Sequence, residues 1–189
     1  HEFIPQVSDL ESLVDDRTVA ILYNFPSNPT GGTLDIQQRD ELLAFARKHN
    51  LWIISDEVYD RIVFDGPHVS FMGAGYERVL VVNSFSKTFA MTGWRMGYII
   101  SEHAEAMLQV IKMQYYIAAC SNDAMQHAIL ATIEQASDYP EMVAAEFKQR
   151  RDLIVERLNA MPGVECHKPQ GAIYVFPKVT VPGMTSQEL

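Results

Sequence analysis

Three apolar runs decide most of what this chain can fold into. They are TVAILYNFP (18–26), LWIISDEVYD (51–60) and RVLVVNS (78–84), and each stops at a polar cluster. Near-continuous apolar strands of this kind belong to a sheet buried on both faces. Between the first two lies DIQQRDELLAFARKHN (Asp35 to Asn50), which reads as a helix: Asp35 can cap it, and Ile36, Leu42, Leu43 and Ala46 give it one apolar side. Strand, helix, strand in this order predicts an α/β fold with a mainly parallel sheet flanked by helices. WRMGYIIS (94–101) reads as a fourth strand, with Trp94 and Tyr98 expected in the core.

The flanks differ in character. SDLESLVDD (8–16) opens with Ser8 and Glu11 at the spacing of a capping box and predicts a short helix. From Glu102 to Met161 the chain reads as three helices, roughly 102–118, 122–136 and 138–161, with Pro140 tolerated near the start of the third. EFKQRRD (146–152) is expected on the solvent side of that helix, and the methionines as gap-fillers. GVECHKPQGAIYVFPKV (163–179) resumes short strands, which predicts a large unit over residues 1–140 and, over 141–189, a linking helix with the first part of a smaller α+β lobe. TSQEL (185–189) has the spacing of another capping box, so the chain reads as part of a longer protein.

Composition excludes several functions. The 189 residues, 48% hydrophobic, can bury an ordinary core. A net charge of −9 with scattered basic residues argues against nucleic acid. No apolar run approaches the ~20 residues a bilayer span needs. Only Cys120 and Cys166 are present, far apart, which fits a reducing, cytoplasmic setting. The six histidines form no HxxxH or HExxH pattern, so no metal site is expected.

Ligands of open α/β sheets bind beyond the carboxyl ends of the strands. Here those ends carry Asn28 after the first strand, Asp56 and Tyr59 after the second, and Ser84, Ser86 and Lys87 after the third, with Arg95 following. Arginine with serine hydroxyls suits a phosphate, because the guanidinium binds it in a fork. A lysine amine suits a Schiff base with an aldehyde. A carboxylate suits a protonated ring nitrogen. Jointly the set describes a site for pyridoxal 5′-phosphate. Singly each residue has an ordinary explanation: a surface lysine, a capping aspartate, a core phenol, a Pro-Gly turn.

SNPTGG (27–32), SDEVYDRIVF (55–64), NSFSKTFAMTGWRMGY (83–98) and QGAIYVF (170–176) resemble, in order and spacing, the class I/II aminotransferases of fold type I. The wording of the third motif is similar to the bacterial and archaeal branch with aspartate, aromatic and alanine aminotransferases. The resemblance implies a cofactor-binding large domain and transfer of an amino group from an amino acid to a 2-oxo acid. It implies that Lys87 forms the Schiff base and shuttles the proton, and that Asp56 keeps the pyridine nitrogen protonated. It further implies that Tyr59 and Asn28 contact the cofactor's phenolate oxygen and that Ser84 and Arg95, with Ser86, hold the phosphate. A cis Asn28–Pro29 bond and a homodimer are implied too. Two other functions are alternatives: a carbon–sulfur β-lyase, which shares every one of these motifs, and an aminotransferase-like effector domain of a transcription regulator, which needs a basic DNA-binding domain upstream and is disfavoured by MTGWRMGY (91–98) around the arginine. Relatives also carry a glycine-containing phosphate loop, a ring-stacking aromatic and a carboxylate-binding arginine. These are not found here, so the 189 residues alone are expected to be inactive.

Overall fold

The three apolar runs lie side by side as β1 (Ala20–Asn24), β2 (Trp52–Asp56) and β3 (Val79–Ser84) in the computed structural model, which describes residues 3–185, Gln187 and Glu188. Both pairings are parallel, and the register sets Asn24 opposite Asp56 and Asp56 opposite Val82. The strand ends that carry polar residues therefore share one edge of the sheet. β4 (Gly97–Ile100) returns antiparallel to β3, with Gly97 opposite Ser84. Only glycine fits there, because a Cβ on residue 97 would stand 2.6 Å from the Asn83 carbonyl oxygen.

α2 (Ile36–Lys48) covers one face of the sheet. Its Leu42, Leu43, Phe45 and Ala46 join Ile53, Val79, Val81, Tyr23 and Phe71 in the main core. The helix starts as expected: Asp35 accepts from the Gln38 N–H at 2.8 Å, and Gln38 Oε1 accepts from the Asp35 N–H at 2.9 Å. The opposite face differs from expectation. Leu22 of β1 is exposed, and every residue of β4 is exposed. The sheet is thus buried on one face only among the described residues. Trp94 and Tyr98, expected in the core, are 39% and 38% exposed. Trp94 sits in a short 3₁₀ turn, Thr92–Trp94, before the strand begins.

The three later helices fall where the periodicity puts them, as α4 (Ala104–Ala118), α5 (Asp123–Gln135) and α6 (Tyr139–Asn159), with Pro140 in the first turn of α6. α1 (Val7–Glu11) forms, but not through the Ser8–Glu11 box: Gln6 precedes it and makes no side-chain cap. Glu11 instead reaches the end of α2, 2.7 Å from Lys48 Nζ and 3.1 Å from His49 Nε2. Within EFKQRRD, Arg151 turns inward and is 4% exposed. Its Nη1 lies 2.7 Å from Asp65 Oδ2 and donates to the Pro169 carbonyl at 3.0 Å, while the guanidinium sits 4.6 Å from the Phe64 ring centre. A buried arginine persists where such partners replace water. Met113 and Met142 are exposed rather than filling gaps.

Of the last segment, β5 (Val164–Glu165) and β6 (Lys178–Val179) pair antiparallel. QGAIYVF between them is not a strand of that lobe. It forms a strap across the sheet's loops, with a single bridge from Gly171 to Val63. In TSQEL, the Thr185 N–H donates to the Glu188 carboxylate at 2.7 Å, half of the expected box; Ser186 and Leu189 lie outside the described residues. Among the described residues no helix is long and apolar enough to cross a membrane, and no three His, Cys, Asp or Glu side chains group as a metal site.

Candidate active site

Each expected residue owes its position to a strand that ends. β2 stops at Asp56, whose Oδ1 accepts from the Val58 N–H at 3.2 Å and so tightens the turn that follows. That turn delivers Tyr59, which is 3% exposed. β3 stops at Ser84, the cap of the one-turn helix α3 (Phe85–Thr88). Ser84 Oγ accepts from the Ser86 N–H at 3.1 Å and lies 2.8 Å from Ser86 Oγ. Lys87 follows on this turn. Its Nζ stands 5.7 Å from the centre of the Tyr59 ring, and among the described residues it makes no ion pair. After β1, the chain turns through a loop in which Asn28 N–H donates to Asn24 Oδ1 at 2.6 Å. The Asn28–Pro29 bond is cis, as expected, and so is Phe25–Pro26, which the motif does not announce.

Asp56, Tyr59 and Lys87 thus come together, and Ser84 and Ser86 share one hydroxyl cluster. Asn28 is tied to the same edge through Asn24, the register partner of Asp56. Arg95 stands apart. It adopts a left-handed backbone, φ 55°, and its Nη1 donates to the Thr92 carbonyl at 3.0 Å. It lines a cavity of about 460 Å³ with Asn83, Tyr98 and residues of α4. Lys87 and Ser86 line another, of about 510 Å³, whose far wall is Tyr139, Met142 and Phe147 of α6. Ser84 nonetheless reaches the segment holding Arg95, with its Oγ 3.0 Å from the Met96 carbonyl.

Electrostatics separates the acids. Burial, with the Asp56 charge beside it, raises the Tyr59 phenol far above its usual range, so Tyr59 keeps its proton. Glu57, next to Asp56, points the other way into the protein. Burial pushes its carboxyl up, but His68 Nε2 at 2.7 Å, Ser70 Oγ at 3.0 Å and the Phe71 N–H at 3.2 Å outweigh that, and the net shift is downward. Asp60 is raised by burial.

Sequence reasoning missed two members. Asn24 orients the asparagine loop, and its only signal was a polar residue closing an apolar strand. Tyr174 Oη lies 2.6 Å from Tyr59 Oη. It belongs to QGAIYVF, a motif whose spacing marked the family without suggesting a task for its tyrosine.

A mainly parallel sheet flanked by helices, with Lys87, Asp56 and Tyr59 gathered at its strand ends, is an α/β fold. Residues 2–188 match the family of class I and II aminotransferases, and the chain belongs to that family. It is 37% identical to aromatic-amino-acid aminotransferase 2 of Thermococcus litoralis over 193 aligned residues, covering 100% of this chain and 49% of that protein. It is 39% identical to the aspartate aminotransferase of Thermotoga maritima, covering 94% of this chain and 46% of that protein. Among solved structures, the alanine aminotransferase of Pyrococcus furiosus superposes with a TM-score of 0.88 at 35% identity, covering 97% of this chain and 48% of the other. The chain spans about half the length of the curated relatives it matches.

Proposed function

We propose that this chain carries the catalytic half-site of a pyridoxal-phosphate-dependent aminotransferase, which moves an amino group from an amino acid to a 2-oxo acid. The carrying observation is Lys87 Nζ, unpaired among the described residues, over the ring of a buried Tyr59 that keeps its proton, with Asp56 alongside. The donor set fits the cofactor group by group: an amine for its aldehyde, a carboxylate for its ring nitrogen, hydroxyls for its phosphate. When bound, the cofactor supplies the aldehyde that captures amines and a ring that spreads negative charge. Lys87 would hold the group at its aldehyde, and its amine would take the proton at the substrate's Cα. Asp56 keeps a proton on the ring nitrogen. Tyr59 and Asn28 donate to the phenolate oxygen. Ser84 and Ser86, with Arg95, would hold the phosphate. In this reading residues 1–140 belong to the cofactor-binding domain, 141–189 begin the smaller one, and the intact enzyme is a cytoplasmic homodimer.

Borohydride reduction of the intact enzyme, followed by peptide mapping, is expected to leave a pyridoxyl group on Lys87; finding it on Lys48 or Lys112 would overturn the assignment. A new amino acid formed in balance with a 2-oxo acid is the expected product pattern. Ammonia, pyruvate and thiol instead would identify a lyase. Asp56→Asn is expected to keep the cofactor and lower turnover about 10²–10³-fold, the size typical of losing one preorganised electrostatic partner. Unchanged turnover would remove Asp56 from the mechanism.

A further inference from the structure

Two phenols meet below Lys87, and the function proposed above employs only one. Tyr59 and Tyr174 place their hydroxyl oxygens 2.6 Å apart, with ring centres 5.7 Å apart and planes at 81°. The strap holds Tyr174 in place from behind. Ala172, wholly buried, donates its N–H to the Ile62 carbonyl at 2.9 Å. The Gln170 and Gly171 N–H groups both donate to the Gly31 carbonyl at 2.9 Å. Tyr174 is thereby tied to the loop after β1 and to the turn that carries Tyr59.

A phenol has one proton to give. If Tyr59 gives its proton to Tyr174, it has none for a ligand. If Tyr174 donates to Tyr59, the proton of Tyr59 is left to point into the site. We propose that Tyr174 is a positioning residue for Tyr59, donating its hydroxyl proton inward so that Tyr59 donates outward to the anionic oxygen of the cofactor. The inference rests on the cofactor reading. An anionic acceptor forms the stronger bond, so the phenol that faces it surrenders its proton in that direction. The second phenol then has only the first to donate to, and the two bonds in series polarise one another. The surroundings agree. The other charged groups facing Tyr59 are Asp56 and Lys87. α6 presents Val143 and Phe147 to this cluster, while its Glu146 and Arg150 pair with each other at 2.8 Å. Among the described residues, Tyr59 Oη is the one hydrogen-bond partner of the Tyr174 hydroxyl.

The test is a pH titration of the bound cofactor's absorbance in the intact enzyme. A hydrogen bond to the phenolate is strongest when that oxygen bears its full charge, which is when the adjacent proton has left. A donor therefore lowers the titration midpoint and its loss raises it. Tyr59→Phe is expected to raise the midpoint by about 1–2 units. Tyr174→Phe is expected to raise it by roughly a third as much, through lost polarisation. The double variant should match Tyr59→Phe alone. Replacing Tyr174 by 3-fluorotyrosine, a more acidic phenol of nearly the same shape, is expected to lower the midpoint, and this holds even if Tyr174→Phe folds poorly. A midpoint that stays put in both Tyr174 variants overturns the proposal and leaves the cofactor reading intact. A Tyr174→Phe shift that persists in the Tyr59→Phe background overturns it too, since Tyr174 would then act elsewhere. A wild type that binds no cofactor fails the cofactor reading itself, and this inference with it.

Discussion

Ile53, Val79 and Val81 in the parallel strands, and Ile99, Ile100, Leu108 and Ile111 in the segment that follows, are the same kinds of side chain in regular elements. They end in opposite environments. The first three are buried under α2, and the others are exposed on β4 and α4. On α4 the exposed set continues through Tyr115, Tyr116 and Ile117, with Tyr116 80% exposed. The difference lies in topology rather than composition. A βαβ crossover brings its own helix back over its own strands, so β1, α2 and β2 supply each other's cover. β4 arrives antiparallel at the sheet's edge, and among the described residues nothing returns over α4. The candidate site grows from the covered region, where loops are pinned from both sides.

One added methyl group in each region is expected to separate the two environments most strongly. Gly31→Ala places a Cβ 2.2 Å from Pro169 Cβ, at a φ of +73°. It is expected to cost about 3–5 kcal/mol in denaturant unfolding, by forcing the strap off the loop. Gly93→Ala meets nothing within 4 Å and should stay within about 0.5 kcal/mol. Equal costs would show that the strap is not what holds the covered region.

Next in size is the buried carboxylate behind β2. Glu57→Gln is expected to cost about 1–3 kcal/mol, because a neutral amide cannot accept from His68, Ser55, Ser70 and Phe71 together. The sign of the pH effect follows from the lowered pKa. The unfolded chain takes a proton near the ordinary 4.5, and the folded chain only below it. The stabilisation is therefore complete above about 4.5 and is lost as the pH falls through the folded value. Unfolding midpoints of wild type and Glu57→Gln should converge in acid, and parallel curves would deny the shift.

The smallest effect belongs to the uncovered region. Tyr116→Ser is expected to change the stability of the 189-residue chain by no more than about 0.5 kcal/mol in denaturant unfolding, because Tyr116 is 80% exposed. A large loss of stability would mean that the α4 face is covered after all.

Local signals made much of the fold legible. Apolar runs located β1 to β3, periodicity located α4 to α6, and Asp35 announced the start of α2. Lys87, Asp56 and Tyr59 could be grouped because strand ends in a parallel sheet share an edge. What stayed hidden depends on distant partners. Nothing near Arg151 says that Asp65 and Phe64 will receive it. Nothing around Trp94 says that its turn precedes the strand and leaves it at the surface. The strap looked like a strand because QGAIYVF has strand composition, yet its backbone bonds go to Gly31 and Ile62 instead of a sheet.

The strap also sets a timetable. Thr33 Oγ1 donates to Gln170 Oε1 at 3.0 Å across 137 residues of sequence. A ribosome adding roughly 5–20 residues per second makes the second partner some 7–27 s after the first. Late in that interval, once residue 87 has been made, the nascent chain can hold its strands, its lysine and its capped helix, but the loop after β1 has no fastening and Tyr59 has no second phenol. Tyr59 therefore gains its partner only after residue 174 emerges, and release or cleavage before that residue leaves a sheet that carries Lys87 and Asp56 and nothing to hold Tyr59 in line.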